Sequence, residues 1–181
     1  MTALPLLLAL HSCTDCFGMA LLDPEQPGAE PLVQVHPDGR VLSNSLISRV
    51  QALLPPERWP QLQGLAVATG PGGFTGTRLT VVMARTLAQQ LACPLLGVSS
   101  YALMAPRLEP QLPQSMRGEP FWITQELPRR GVVGGQYRIT SGQVQELSLP
   151  TLLPHGASPQ PAVEAQLDVA ADVGRLLQLL Q

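Results

Sequence analysis

Leu65-Ala-Val-Ala-Thr-Gly-Pro-Gly-Gly-Phe-Thr-Gly-Thr-Arg78 is the stretch on which the reading of this 181-residue chain turns. A short aliphatic run, Leu65 to Ala68, comes first. Gly70, Pro71, Gly72, Gly73 and Gly76 follow within seven residues, and Thr77-Arg78 opens a segment with helical periodicity that runs to Ala92. Aliphatic run, glycine turn, helix is the order expected of a strand whose C-terminal end feeds a helix N-terminus. Such a turn presents backbone N–H groups and the positive end of a helix dipole, so it suits an anion or another chain's backbone. The stretch is not a phosphate-binding loop of the Walker A type, because no Lys-Ser/Thr pair closes it and the chain has no lysine at all. Nor does it fit Gly-x-Gly-x-x-Gly spacing. Bare glycine turns are more often tight connections than ligand sites. The glycine density, the hydroxyls of Thr75 and Thr77 and the placement of Arg78 lift this one above that reading. A cation near a helix N-terminus opposes the dipole, which predicts that Arg78 pairs with an anion or an acidic side chain.

Around this stretch the elements alternate in an α/β pattern. Leu4 to Leu10 is continuously apolar, as in a central strand covered on both faces. Ser12 to Asp15 reads as a turn and Phe17 to Leu22 as the second arm of a hairpin. A Pro/Gly loop spans Asp23 to Pro31, and Leu32 to Val35 is a third strand. Ser43 to Leu54 has helical spacing, with Leu46, Val50 and Leu53 on one stripe and Pro55-Pro56 to stop it. The helix after the glycines carries two apolar stripes. Leu79, Val82, Met83, Leu87 and Leu91 make a large-residue face; Val81, Ala84, Ala88 and Ala92 make a small-residue face. One face must pack on the sheet. The small one suits a close approach by a second helix, either helix 43–54 of the same chain or a partner's. Leu95 to Val98 is a strand, and Ser99-Ser100 caps a short helix to Ala105.

Composition shifts at Pro106, which divides the chain into residues 1–105 and 106–181. Pro106 to Pro120 reads as a linker. Phe121 to Thr124 is a short strand, Gln136 to Thr140 and Gln143 to Leu149 form a hairpin around Ser141-Gly142, and Ala162 to Leu180 is a final helix. By this reading the second part is a reduced lobe.

The remaining chemistry is sparse. Charged residues make up 13% of the chain and the net charge is −2. The eleven basic residues are all arginines and are scattered, so no basic stripe exists to neutralise nucleic-acid phosphates. Three cysteines without a disulfide framework point to a reducing, cytoplasmic setting. The apolar N-terminal run is too short to span a bilayer and follows no basic region, so neither signal peptide nor membrane anchor is expected. Cys13-x-x-Cys16 lacks a second pair of ligands for zinc. No two of His11, His36 and His155 stand at i, i+4, and no nucleophile–base set is assignable. No catalytic residue, metal or cofactor is therefore expected.

Gly70-Pro-Gly-Gly-Phe-Thr-Gly-Thr-Arg78, the helix to Ala92 and Pro94-Leu-Leu-Gly-Val-Ser-Ser-Tyr101 closely resemble the signature of the bacterial TsaB (YeaZ) family, whose usual form is Gly-Pro-Gly-Ser-Phe-Thr-Gly-Val-Arg followed by a helix and Gly-Val-Ser-Ser/Thr-Leu. Leu8-Ala-Leu-His-Ser-Cys-Thr14 stands where that family has an Ile-Asp-Thr-like hairpin. The likeness covers residues 4 to 104 and is weak beyond Pro106. It implies an actin/Hsp70-like, ribonuclease-H-like first lobe. It also implies a non-catalytic, dimerising subunit that activates a TsaD-like enzyme, with a TsaE-like ATPase, in N6-threonylcarbamoylation of adenosine 37 of tRNA. On that basis helices 43–54 and 77–92 form the partner-facing bundle, with Leu46, Val50, Leu53, Val81, Ala84 and Ala88 as interface candidates. Gly70, Gly72, Gly73, Thr75, Gly76 and Arg78 are the candidate anion or partner loop. tRNA would be met through the complex. The family's early aspartate is His11 here, which weakens phosphate or magnesium handling at the hairpin. Leu127-Pro-Arg-Arg-Gly-Val-Val133 lacks both acids of the strand that usually opens the second lobe. The alternatives are a nucleotide-binding transferase or ATPase built on the glycine loop, and a structural homodimer through the same helices.

Overall fold

The computed structural model describes residues 5–25 and 30–181. Leu4 of the expected first strand, and 26–29 of the loop after Asp23, lie outside them. In chain order the strands are β1 (Leu7–His11), β2 (Phe17–Leu22), β3 (Leu32–His36), β4 (Gly64–Ala68), β5 (Leu95–Val98), β6 (Phe121–Leu127), β7 (Gly131–Thr140), β8 (Gln143–Leu152) and β9 (Ala162–Glu164). The helices are α1 (Leu42–Leu53), α2 (Phe74–Leu91), α3 (Ser100–Leu108) and α4 (Val169–Gln178). The chain falls into two compact units. One runs to Val98 and takes back Asp168–Gln181; the other is Ser99–Leu167.

The first unit is built on a five-stranded sheet of order β3-β2-β1-β4-β5. β1, β2 and β3 pair antiparallel, with Leu8 opposite Leu21 and Ala20 opposite Val33. β4 and β5 run parallel to β1, with Leu8 opposite Leu65 and Val67 opposite Gly97. This is the ribonuclease-H-like arrangement of the actin/Hsp70-like fold. Every residue of β1, β2 and β4 is buried, because both sheet faces are covered and a two-sided strand needs apolar residues at every position. α1 and α2 cover the face that carries Leu8, Leu10, Phe17, Met19, Leu65 and Val67. α4 covers the other face, where Val169 and Val173 seat over Gly18.

The terminal helix differs from its sequence-based expectation in two ways. It starts at Val169, not Ala162, because Ala162–Glu164 pairs parallel with β6 and the Asp168 side chain caps the helix, accepting from the Ala171 N–H at 3.1 Å. The expected helix from Ala162 had joined two different elements. The helix also belongs to the first unit. Its Val173, Leu176 and Leu177 are fully buried there.

The second unit holds a four-stranded sheet of order β8-β7-β6-β9, more than the expected hairpin and helix. β7 extends back through Gly131-Val-Val-Gly-Gly135, glycines that local propensity reads as loop. Its cross-strand partners on β6 and β8 decide otherwise. Ser99 caps α3 as expected, accepting from the Ala102 N–H at 3.0 Å. The helix then continues through Pro106 to Leu108, past the expected linker boundary. Tyr101, Leu103, Met104, Ala105 and Leu108 are buried along it, and that packing outweighs the proline in its last turn.

Two buried aspartates brace the first unit. Asp38 holds the Arg49 guanidinium at 2.9 and 3.1 Å and accepts from the Ser45 hydroxyl at 2.8 Å, tying the turn before α1 to its second turn. Asp23 at the end of β2 holds Arg58 at 2.6 and 2.9 Å. The guanidinium hydrogen bonds lower both carboxyls below their ordinary range against an opposing desolvation. A depressed folded-state value means that the stabilisation is complete above the unfolded value, about pH 3.9, and is lost as pH falls through the folded value. Urea midpoints of the whole chain should therefore be flat between pH 7 and 5 and fall below about pH 4. Asp38→Asn should remove part of that acid-dependent fall.

Candidate functional site

The glycine stretch leaves β4 and turns into α2 directly over the tip of the β1–β2 hairpin. α2 begins at Phe74, three residues before the sequence-based start, so Thr75 and Gly76 lie inside its first turn. Gly70 has φ +98°, and its bond to Pro71 is cis. The Gly73 N–H donates to the Cys13 carbonyl at 2.9 Å. A Cβ on Gly72 would stand 2.0 Å from the Cys13 carbonyl oxygen, and one on Gly76 would stand 3.0 Å from the Ser12 carbonyl oxygen. These two glycines let the loop and helix lie against the hairpin backbone. Hydroxyls complete the seam: Thr77 and Thr80 donate back to the carbonyls of Gly73 and Gly76 at 2.8 Å, and Thr80 also meets the Ser12 hydroxyl.

Beside the seam, the start of α2 opens on a cleft of about 350 Å³ lined by the polar side chains of Asp15, Arg40 and Thr75 and the apolar ones of Leu42, Phe74 and Leu79. Among the described residues Arg78 does not find the acidic partner that its position predicted. Its guanidinium lies 4.9 Å over the Phe74 ring, one turn earlier. Cys13 is buried and its thiol faces the Ala68 carbonyl at 3.9 Å. Burial pushes that thiol up, so at neutral pH it stays protonated and unreactive. Cys16 is also a free thiol. Among the described residues no three His, Cys, Asp or Glu side chains gather as a metal-binding group. No helix among them is long and apolar enough to cross a membrane.

α2 is rotated opposite to the sequence-based expectation, and the interface candidates are corrected accordingly. Ala84 and Ala88 are 0% and 7% exposed, and with Thr77 and Thr80 they form the face that meets the sheet. Leu46, Val50 and Leu53 of α1 are buried in the same core, and Val81 is half-buried against it. The reason is steric. The sheet presents large side chains from β1 and β4, so the helix approaches with its small residues. Of the large-residue stripe, Leu79, Met83, Leu87 and Leu91 are half-buried against the edge of the core and Val82 is left outside. Val82 is 62% exposed, Ile47 of α1 57% and Phe74 72%. Between α1 and α2 runs an apolar groove of about 440 Å³, lined by Leu46, Ile47, Trp59, Leu79, Val82, Met83 and Leu87 with Ser43, Gln51 and Thr86 on its polar edge. Ile47, Val82 and Phe74 were not among the sequence-derived candidates. The two-stripe pattern of α2 was visible, but which stripe faces the sheet was not.

In the second unit a buried polar cluster escaped the sequence altogether. Tyr137, fully buried, donates to the Glu146 carboxylate at 2.8 Å, and the Ser99 hydroxyl donates to the same oxygen at 2.5 Å. Burial pushes the Tyr137 phenol strongly up, so it remains a donor. The cluster ties the α3 cap to the β7–β8 hairpin and leaves no exposed nucleophile.

Comparison with known proteins finds the same region. Residues 51–119 match the family model described as TsaD, tRNA N6-adenosine threonylcarbamoyltransferase. The tRNA threonylcarbamoyladenosine biosynthesis protein TsaB of Bacillus subtilis (strain 168) is 34% identical over 101 residues, which is 55% of this chain. The match spans 43% of that relative's length. Among solved structures, YeaZ from Pseudomonas aeruginosa superposes with a TM-score of 0.70 at 23% identity, covering 97% of this chain and 92% of its own. An uncharacterised protein from the same organism, described as similar to peptidase YeaZ, gives 0.67 at 25% identity over 87% of this chain and 70% of its own.

The glycine seam yields a paired test. Gly72→Ala must displace the Cys13 backbone and should destabilise the chain by about 1–3 kcal/mol. Gly73→Ala meets only Thr14 at an ordinary 3.6 Å and should stay within about 0.5 kcal/mol of the parent. Chemical denaturation of the two variants checks both values.

Proposed function

We propose that the chain belongs to the TsaB/YeaZ family, which these likenesses support, and that it is a non-catalytic subunit in threonylcarbamoylation of adenosine 37 of tRNA. In this reading it docks on and activates a TsaD-like enzyme in the cytoplasm. A TsaE-like ATPase acts on the complex, and tRNA is met through the enzyme.

The observation that carries the reading is the apolar groove between α1 and α2. A chain with 13% charged residues that leaves Val82 and Ile47 exposed on one apolar groove has a surface suited to a protein partner. The polar chemistry points the same way. The glycine stretch is filled by the hairpin backbone, and the thiol beneath it is buried and protonated. The arginines form no stripe for direct RNA binding.

Reconstitution of the pathway with and without this chain tests the role. Threonylcarbamoyl-adenosine in tRNA should fall to background when the chain is left out, and an unchanged level would remove the reading. Val82→Asp and Ile47→Asp each place a carboxylate in the groove. Each should weaken binding to the TsaD-like subunit at least tenfold, about 1.4 kcal/mol, with an unchanged melting temperature because both side chains are already exposed.

A further inference from the structure

The two sheets repeat one topology. In the first unit β3, β2 and β1 pair antiparallel, β4 runs parallel beside β1, and β5 runs parallel beside β4. In the second unit β8, β7 and β6 pair antiparallel and β9 runs parallel beside β6. The repeat stops there. β9 takes the place of β4, but the chain then enters α4, and among the described residues no strand stands where β5 would. The outer edge of β9 is therefore open to a further strand.

The ladder with β6 fixes which peptide groups that edge presents. The Trp122 N–H donates to the Pro161 carbonyl and the Ala165 N–H to the Thr124 carbonyl, each at 2.8 Å. Residues 161, 163 and 165 thus turn their backbone toward β6, and Ala162 and Glu164 turn theirs outward. Residues 109–119 do not take up these outward groups. The N–H groups of Leu112, Met116, Arg117 and Glu119 donate to carbonyls within that same segment, and the Gln111 amide pairs with that of Gln166, past the end of β9. Between the segment and β9 lies a slot of about 430 Å³, lined by Leu112, Pro113 and Met116 together with residues 160–163. Consecutive residues of a strand face opposite sides of a sheet, so a slot that touches Pro161, Ala162 and Val163 in turn runs along the edge. No charged side chain lines it.

We propose that the outer edge of β9 is a strand-addition site. It takes an extended segment of a partner protein, four residues long as β5 is, parallel to β9 and in the position that β5 holds beside β4. The outward N–H and C=O groups of Ala162 and Glu164 supply the hydrogen bonds, and the slot takes the segment's apolar side chains. Because the slot carries no charge, the segment is uncharged where it enters. Glu164 is exposed at the C-terminal end of β9, and among the described residues it has no ion-pair partner. Parallel strands bring like ends together, so a basic residue at the C-terminal end of the segment completes the match. A second copy of this chain is a poorer occupant. A two-fold axis normal to the sheet would set β9 (Ala-Val-Glu) antiparallel to itself, and that strand has no cation to offer Glu164. The site lies in the second unit and stands apart from the groove of the first.

The test uses the full chain, labelled with nitrogen-15, and a synthetic probe with blocked termini, Val-Thr-Val-Thr-Val-Lys. Titration should give saturable shifts of the Ala162 and Glu164 amide signals. Ala162→Pro deletes one outward donor and leaves the ladder to β6 intact, so it should weaken binding about fivefold with an unchanged melting temperature. Glu164→Lys, which opposes the lysine of the probe, should weaken it about threefold. Exchange of the central valine of the probe for proline, which alters no residue of the protein, should abolish the shifts. Absence of saturable shifts at Ala162 and Glu164 up to millimolar probe would overturn the inference. Equal binding by the proline-containing probe or by Ala162→Pro would do the same, since apolar contact alone would then account for the shifts. Concentration-dependent dimerisation of the parent that Ala162→Pro abolishes would put a second copy on the edge and overturn it as well.

Discussion

The seam between the glycine stretch and the tip of the β1–β2 hairpin is the constraint on which the rest of the first unit depends. A Cβ at Gly72 would overlap the Cys13 carbonyl, and one at Gly76 would press on Ser12. Both contacts are backbone on backbone, so no side-chain rearrangement relieves them. The result is a fixed point. β4 delivers the chain to the hairpin tip, the Gly73 N–H is used by Cys13, and α2 leaves from there over the sheet.

Once α2 starts at that point, its rotation follows. Thr77 and Thr80 turn inward to bond the preceding turn and meet Ser12, and Ala84 and Ala88 continue the same face down onto β1 and β4. The large residues are left at the edge of the core, beside α1, with Val82 fully outward. The exposed groove beside α1 is thus a consequence of how the helix is anchored. Its floor is shared with the core, through Leu46, Leu79, Met83 and Leu87, so an occupant would rest on packed core side chains.

Seen this way, the glycine stretch acts as a mount. Its resemblance to a phosphate-binding turn is in glycine content. A turn that cradles a phosphate keeps its N–H groups and its concavity free for the ligand; here the concavity is filled by the protein's own Ser12-Cys13 backbone. The cleft that remains beside it, lined by both Asp15 and Arg40, is of mixed charge.

Much of the first unit was legible in the sequence. The unbroken apolar runs of β1 and β4, the helical spacing ending at Pro55-Pro56 and the glycine turn marked strands and helices, because local periodicity and chain breakers act over a few residues; the ribonuclease-H-like order was implied only by the family resemblance. Other features were decided only by tertiary structure. The final helix splits at Asp168 because Val163 has a strand partner, β6, forty residues away in sequence. β7 runs through its glycines because β6 and β8 supply hydrogen bonds on both sides. The helix stripe that faces the sheet is set by the sizes of residues on other strands, and so is the exposure of Val82 and Arg85. A helix with two apolar stripes is ambiguous to any reading of itself alone. The sheet resolves it, since only its small-residue face can come close enough to pack.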